Sequence, residues 1–342
     1  MVSRPDTEWE AWFADERARL LGAMGWLADG GLVEQIQSLD AGALPGAPRA
    51  VGLSTWPFPP EPQTVDALQT LGYAPVAGAD TATTRHFVRD RDEQRLLVAE
   101  SGCDAWGDAL LLQQYGAVVA EVRPHLAALR MGAAPRALLD EAARWWIDAT
   151  GFGPLHALAA EMDGCTCDSA VGSGWAIDLF LGRVTRVHHD IDLIVDRRDQ
   201  FALRVHLAAR GYNFVTPLNG RLEPWPPHMR IELPRHQVHA HRENDFIDIL
   251  LTDFDGGFWR YRRDPIVARA VERAFRQTDN GLRYLAPELV LLFKSKNTGT
   301  HDRPKDQQDF DAVVAQLDDE ARAWLRWALV ATEPSHAWLQ SL

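Results

Sequence analysis

The run from Gly172 to Leu193, G-S-G-W-A-I-D-L-F-L-G-R-V-T-R-V-H-H-D-I-D-L, constrains this chain more than any other stretch. A Gly-Ser-Gly turn leads into an apolar segment closed by Gly182. A few residues later two aspartates stand one residue apart. On a strand, side chains at i and i+2 share a face, so Asp190 and Asp192 are expected to project together while Ile191 and Leu193 enter the core. Two carboxylates at that spacing repel each other unless a cation sits between them. Magnesium, held through one or two carboxylates plus substrate phosphates, is the natural partner. Gly172 and Gly174 let backbone N–H groups approach a phosphate, and Ser173 adds a hydroxyl donor. Magnesium prefers oxygen, so His188 and His189 read as packing or nucleotide contacts. Asp178 reads as an ordinary surface or structural position on a helix.

Such a pair needs a third carboxylate on a neighbouring strand. Asp248 lies in the apolar run F-I-D-I-L-L, where a lone carboxylate requires a partner or a metal. It is expected to complete the metal site or to take the proton of an attacking hydroxyl. Asp245 and Asp253, at the ends of that run, read as solvated turn residues. The basic residues sharpen the picture. Only three of the 35 are lysines, Lys294, Lys296 and Lys305, and all fall in one twelve-residue window. A lysine ammonium is a compact point charge suited to a phosphate oxygen. Together with Arg186, the three are expected to neutralise a triphosphate.

Composition bounds the rest. At 342 residues and 46% hydrophobic, the chain has length for about two domains with real cores. A net charge of −13 disfavours nucleic acid and suits cationic ligands. No stretch is apolar enough to span a membrane, and the N-terminus lacks the apolar core of a signal peptide. Three cysteines cannot build a disulfide framework, so a reducing cytoplasm is expected. Cys165-Thr-Cys167 reads as ordinary thiols near a strand. Oligomeric state is left open.

Two modules are expected, 1–148 and 149–342. The first opens with a helix carrying Trp9, Trp12, Phe13, Leu20 and Met24, followed by a turn-rich stretch from Gly42 to Pro62. Then come a helix Val65–Leu71, strands Arg85–Arg89 and Arg95–Ala99, a helical pattern Trp106–Leu129 broken at Pro124, and a helix Pro135–Ile147. The second module is read as helices Leu155–Met162 and Ala176–Leu181 and a strand Asp190–Val195. A helix capped by Asp196 follows. Val238–Ala240 and Phe246–Leu251 form a hairpin, and helices Glu288–Lys296 and from Pro304 onward end the chain.

The Gly172–Leu193 run resembles the glycine-pair and Asp-x-Asp motif of the polymerase-β-like nucleotidyltransferase superfamily, within it the aminoglycoside adenylyltransferase-like branch. The tail Y-L-A-P-E-L-V-L-L-F-K-S-K, with Lys305-Asp306-Gln-Gln-Asp309-Phe310, is similar to the helical part of that branch. The resemblance spans about residues 150–342. The first module resembles the GrpB family, through W-P-F-P-P-E-P, L-G-Y at Leu71–Tyr73 and R-H-F at Arg85–Phe87. That family's phosphate turn falls on Glu34–Leu39 without its glycine, and its metal-bearing strand on Ala50–Leu53 without a carboxylate. The module is therefore expected to be catalytically silent.

The resemblances imply an α+β chain of two nucleotidyltransferase-like modules, each a small mixed sheet flanked by helices, with a C-terminal helical region. They imply Asp190, Asp192 and Asp248 as catalytic metal ligands. Gly172, Ser173, Gly174, Arg186, Lys294, Lys296 and Lys305 are the expected nucleotide contacts. The implied reaction moves a nucleoside monophosphate from a nucleoside triphosphate, ATP first, to a hydroxyl of a small molecule such as an aminoglycoside-like antibiotic. Two rivals stand beside it. One is a non-enzymatic, antitoxin-like module that binds a protein. The other is a nucleic-acid end-modifying transferase, which the net acidity disfavours.

Overall fold

The computed structural model describes residues 7–26, 31–39, 49–56, 58, 60, 62–90, 94–128, 134–218, 221–242, 245–296 and 304–342. It divides into two compact units. The first comprises Met1–Ala149, Asn213–Pro226 and His239–Phe246, and the second Thr150–Tyr212, Pro227–Val238 and Ile247–Leu342.

In the first unit, helix α1 (Thr7–Met24) precedes strands β1 (Val33–Ser38) and β2 (Arg49–Thr55). Helix α2 (Pro62–Thr70) and strands β3 (Ala74–Pro75), β4 (Thr84–Arg89) and β5 (Gln94–Glu100) follow. The five strands form a mixed sheet in the order β1-β2-β5-β4-β3, with β2 and β5 parallel. Leu20 and Met24 of α1 and Leu68 of α2 pack on Val33, Val51, Leu53, Phe87, Leu96 and Val98 of the sheet. One buried polar cluster accompanies that core. Arg89 Nη2 donates to Glu16 Oε2 at 2.6 Å, and the Tyr73 hydroxyl donates to Glu16 Oε1 at 3.0 Å. Helices α3 (Asp104–Val118), α4 (Arg123–Ala128) and α5 (Arg136–Thr150) complete the N-terminal stretch.

The expected long helix from Trp106 breaks at Val119, which is extended, rather than at Pro124 itself. Pro124 instead lies in the first turn of α4, where its missing N–H is tolerated. The expected turn-rich stretch from Gly42 contains a buried strand, β2, whose A-V-G-L-S core carries no charge. Residues 40–48 lie outside the described residues. Glu34–Ser38, matched above to a phosphate turn, belongs to strand β1.

In the second unit, helix α6 (Gly153–Glu161) leads through strand β6 (Ser169–Val171) into helix α7 (Ser173–Leu181) and strand β7 (Asp192–Asp196). Helix α8 (Gln200–Ala208) precedes strands β8 (Asn213–Leu218) and β9 (Arg221–Pro224), which the first unit claims. Strands β10 (Gln237–Arg242) and β11 (Asp245–Thr252) follow as the expected hairpin neighbours. Next come β12 (Phe254–Asp255), β13 (Phe258–Arg260) and β14 (Ala268–Ala270), a small antiparallel sheet. Helix α9 (Val271–Ala274), strands β15 (Phe275–Gln277) and β16 (Arg283–Leu285), and helices α10 (Pro287–Ser295), α11 (Pro304–Val314) and α12 (Asp319–Thr332) close the chain. Strands β15, β16, β6, β7 and β11 lie side by side in that order, with β7 and β11 parallel. Helix α10, buried along nearly its whole length, packs against α7, α11 and α12. Among the described residues, no helix is long and apolar enough to cross a membrane.

Candidate active site

The carboxylates are placed by the pairing of β7 and β11. The two strands run parallel with Asp192 opposite Asp248, and Asp248 N donates to the Ile191 carbonyl at 2.9 Å. Paired residues on adjacent strands sit about 4.8 Å apart with side chains on the same face. Two residues far apart in the chain thus present their carboxylates together. Asp190 lies just before the strand rather than on it, and is exposed. Strand alternation therefore does not hold it. Trp175, buried in α7, does: its Nε1 donates to the Asp190 carbonyl at 3.0 Å.

The Gly-Ser-Gly turn forms the other side. Gly172 is extended and caps α7, and its N–H donates to the Asp192 carbonyl at 2.8 Å. A Cβ at Gly172 would lie 3.0 Å from Ile194 Cδ1 and 3.4 Å from Asp192 Cβ, so the close approach of β6 to β7 favours glycine. Ser173 holds a positive φ of 50°, a conformation an L-residue rarely adopts. Its hydroxyl lies beside Asp192 and favours the charged form of that carboxyl. The α7 N-terminus, with its unpaired N–H groups, opens at this point.

Burial raises the Asp192 carboxyl well above the ordinary aspartate range, and the neighbouring Asp190 and Asp248 charges raise it further. The Ser173 hydroxyl and the Lys294 charge oppose the rise. Negative charge is therefore crowded here, and a divalent cation would relieve the crowding. Among the described residues, no group of three or more His, Cys, Asp or Glu side chains is placed to hold a metal ion, the expected trio Asp190, Asp192 and Asp248 included. The donor set still fits magnesium, which keeps waters and substrate oxygens in its shell and needs only one or two protein carboxylates.

The loop between α7 and β7 is tied down by Asp178, which is 1% exposed. Asp178 accepts from Thr185 N at 3.1 Å, Thr185 Oγ1 at 2.5 Å and His188 Nε2 at 2.7 Å. Burial lowers the His188 pKa, and its ring stacks on Trp175 at 4.2 Å. Asp178 is thus a buried organiser rather than an ordinary helix residue, and His188 packs rather than reaching outward. A polar residue inside A-I-D-L-F-L was the available signal, the same one that marked Asp248. Gln237, whose Nε2 donates to Asp248 Oδ2 at 2.6 Å, carries no sequence signal at all.

The basic residues depart most from expectation. Lys294 lines the cleft but is buried, hydrogen-bonded to Asp306 Oδ1 at 2.6 Å and ion-paired with Asp309 Oδ2 at 2.8 Å, so two carboxylates balance its charge. Lys296 pairs with Glu333 Oε1 at 2.8 Å and does not line the cleft. Lys305 is exposed at the start of α11 and lines the cleft. Arg186 lies 3.6 Å from Asp309 and against Gly174, where a Cβ would fall 2.0 Å from its Nη2. Asp253 is no solvated turn residue, because it holds buried Arg197 in a two-point ion pair at 2.7 and 3.1 Å. Asp245 is exposed and bonded to Arg242. Cys165 and Cys167 are free thiols lying side by side. The cleft has a volume of about 320 Å³, and Ser173, Gly174 and the three carboxylates share it with an arginine-bearing segment, Arg260 to Arg263.

In comparison with known proteins, residues 154–272 match the family model of aminoglycoside-2''-adenylyltransferases. A Klebsiella pneumoniae 2''-aminoglycoside nucleotidyltransferase is 40% identical over 63 residues, 18% of this chain and 36% of the relative. An Escherichia coli protein of the same description is 47% identical over 47 residues, 14% of this chain and 27% of the relative. The chain therefore spans about a third of the length of these relatives. Among solved structures, ANT(2'')-Ia in complex with adenylyl-2''-tobramycin aligns over 52% of this chain and 96% of its own, at 18% identity and TM-score 0.39. The lincomycin-bound lincosamide adenylyltransferase LnuA aligns over 47% and 94%, at 18% identity and TM-score 0.35. Residues 154–272 are thus similar to the aminoglycoside adenylyltransferase branch of the nucleotidyltransferases.

Proposed function

We propose that the second unit transfers a nucleoside monophosphate from a nucleoside triphosphate, ATP in the first instance, to a hydroxyl of a small molecule, with magnesium required. The register of Asp192 against Asp248, beside the Ser173 turn, carries this reading. Bound magnesium would neutralise triphosphate charge and lower the pKa of the acceptor hydroxyl. The chain's own groups do the rest. Asp190 and Asp192 would hold the cation, and the α7 N-terminus with Ser173 orients phosphate oxygens. Asp248, held by Gln237, would complete the metal site or accept the hydroxyl proton. The acceptor oxygen bonds to the α-phosphorus, the bond from that phosphorus to the bridging oxygen breaks, and pyrophosphate leaves. The acceptor class proposed is the antibiotic one, aminoglycoside-like, following the relatives. For the first unit we propose a structural or substrate-positioning role.

The test is titration of the protein with ATP and magnesium, alongside Asp192→Asn. The transferase reading requires loss of magnesium-dependent affinity in the variant. Unchanged affinity would favour the non-enzymatic rival. A panel of aminoglycosides and lincosamides with labelled ATP then identifies the acceptor.

A further inference from the structure

Beside exposed Lys305, the cleft's positive charge without a carboxylate partner comes from an arginine turn rather than from Lys294 or Lys296. Arg262 and Arg263 form the turn after β13 and line the same cleft as Asp190, Asp192 and Asp248. Both guanidinium groups lie over the Phe293 ring, 5.5 and 5.7 Å from its centroid. Arg263 Nη1 also donates to the Phe293 carbonyl at 3.0 Å and to the Tyr261 hydroxyl at 3.4 Å. Tyr261 is itself fully buried and donates to the Leu292 carbonyl at 3.3 Å. The turn is therefore anchored on the end of α10. Arg260, by contrast, is paired with Asp255 at 3.2 Å. Among the described residues, neither Arg262 nor Arg263 pairs with a carboxylate.

Two adjacent guanidinium groups without a counter-charge repel each other, and an anion resolves the repulsion. Their planar donor edges match phosphate oxygens in pairs, and the aromatic platform limits the rotamer freedom lost on binding. A pair of solvated arginines on a surface turn would explain the sequence equally well. It would not explain two side chains fixed on one ring at the edge of the carboxylate cleft.

We infer that the Arg262–Arg263 turn is the subsite for the terminal phosphates of the nucleotide. The inference rests on the nucleotidyltransferase reading and assigns the role expected of Lys294 and Lys296 to arginine.

Isothermal titration of wild type, Arg262→Ala and the Arg262→Ala/Arg263→Ala double variant with ATP, AMP and inorganic pyrophosphate tests it. The double variant should lose about tenfold or more in affinity for ATP and pyrophosphate, the effect of removing a charge-assisted contact, with AMP unchanged. Arg262→Ala, which gives up only a ring contact in the fold, should show part of that loss. Pyrophosphate affinity that is absent in wild type or unchanged in both variants overturns the inference, as does an equal loss for AMP. Failure of the underlying reading shows separately, as magnesium-dependent ATP affinity that survives Asp192→Asn.

Discussion

Asp178 accepts three hydrogen bonds from two residues of the loop that delivers Asp190, and it does so from inside α7 with 1% of its surface exposed. Asp178→Ala strands the Thr185 and His188 donors in a site that water hardly reaches, at about 1–3 kcal/mol for each unsatisfied group. We expect a urea midpoint shift of that order, together with a fall in turnover larger than the change in the Michaelis constant for ATP. A variant of wild-type stability and turnover would show that the loop is held by other means. Lys294 invites a sharper test. Lys294→Ala leaves Asp306 and Asp309 facing each other in the interior, and loss of one partner from a buried ionic cluster costs about 3–5 kcal/mol. If Lys294 were chiefly a phosphate ligand, the variant would instead keep its stability and lose only nucleotide affinity.

At the scale of the element, caps and buried histidines set what can be measured. Asp318 caps α12 by accepting from Ala321 N at 2.8 Å, and that hydrogen bond holds its carboxyl below the ordinary aspartate range. Asp318→Ala should cost about 1 kcal/mol by chemical denaturation. The cap's ionic contribution is present above the ordinary value of 3.8 and is lost as pH falls through the lowered folded value. His86 on β4 and His241 on β10 behave oppositely, because burial lowers both below the ordinary value of 6.5. The unfolded chain then binds more protons than the folded one below pH 6.5, so stability falls as pH drops through that window. His86→Leu and His241→Leu should each flatten the dependence of melting temperature on pH between neutral and acid. An unchanged slope would rule out these two side chains as its source. Element reading also shows where the sequence speaks. Strands β4 and β5, helix α7 and the β11 carboxylate were legible because alternation, a closing Gly182 and a lone charge in an apolar run are local signals. Strand β1, by contrast, reads V-E-Q-I-Q-S, with too few apolar residues to announce itself, and becomes a strand only by pairing with β2. The register that sets Asp192 against Asp248 is likewise a pairing between distant segments. The partners of Lys294 are local in sequence, within fifteen residues, yet ambiguous, since K-D-Q-Q-D offers carboxylates and a lysine that serve a phosphate site or an ion cluster equally well.

For the whole molecule, the decisive feature is that the first unit is discontinuous. It takes Asn213–Pro226 and His239–Phe246 from the half of the chain that also supplies the carboxylates. Within that unit, Val215 and Leu222 of the β8–β9 hairpin cluster with Trp56. His239 Nδ1 donates to Glu34 at 2.7 Å. A fragment of residues 150–342 carries both segments without Trp56 or Glu34, leaving apolar strand surface and a histidine pair unsupported. The chain is therefore poorly divided near residue 148, however well the helix-to-strand pattern resumes after it. The fragment expressed alone should aggregate or elute as a broad, larger species in size-exclusion chromatography, and co-expression with residues 1–149 should restore a discrete particle. A monomeric fragment with a cooperative melt and full magnesium-dependent ATP affinity would show the opposite. The second unit would then be self-sufficient, and the first unit's hold on β8 and β9 would be an accessory to the fold rather than a requirement of it.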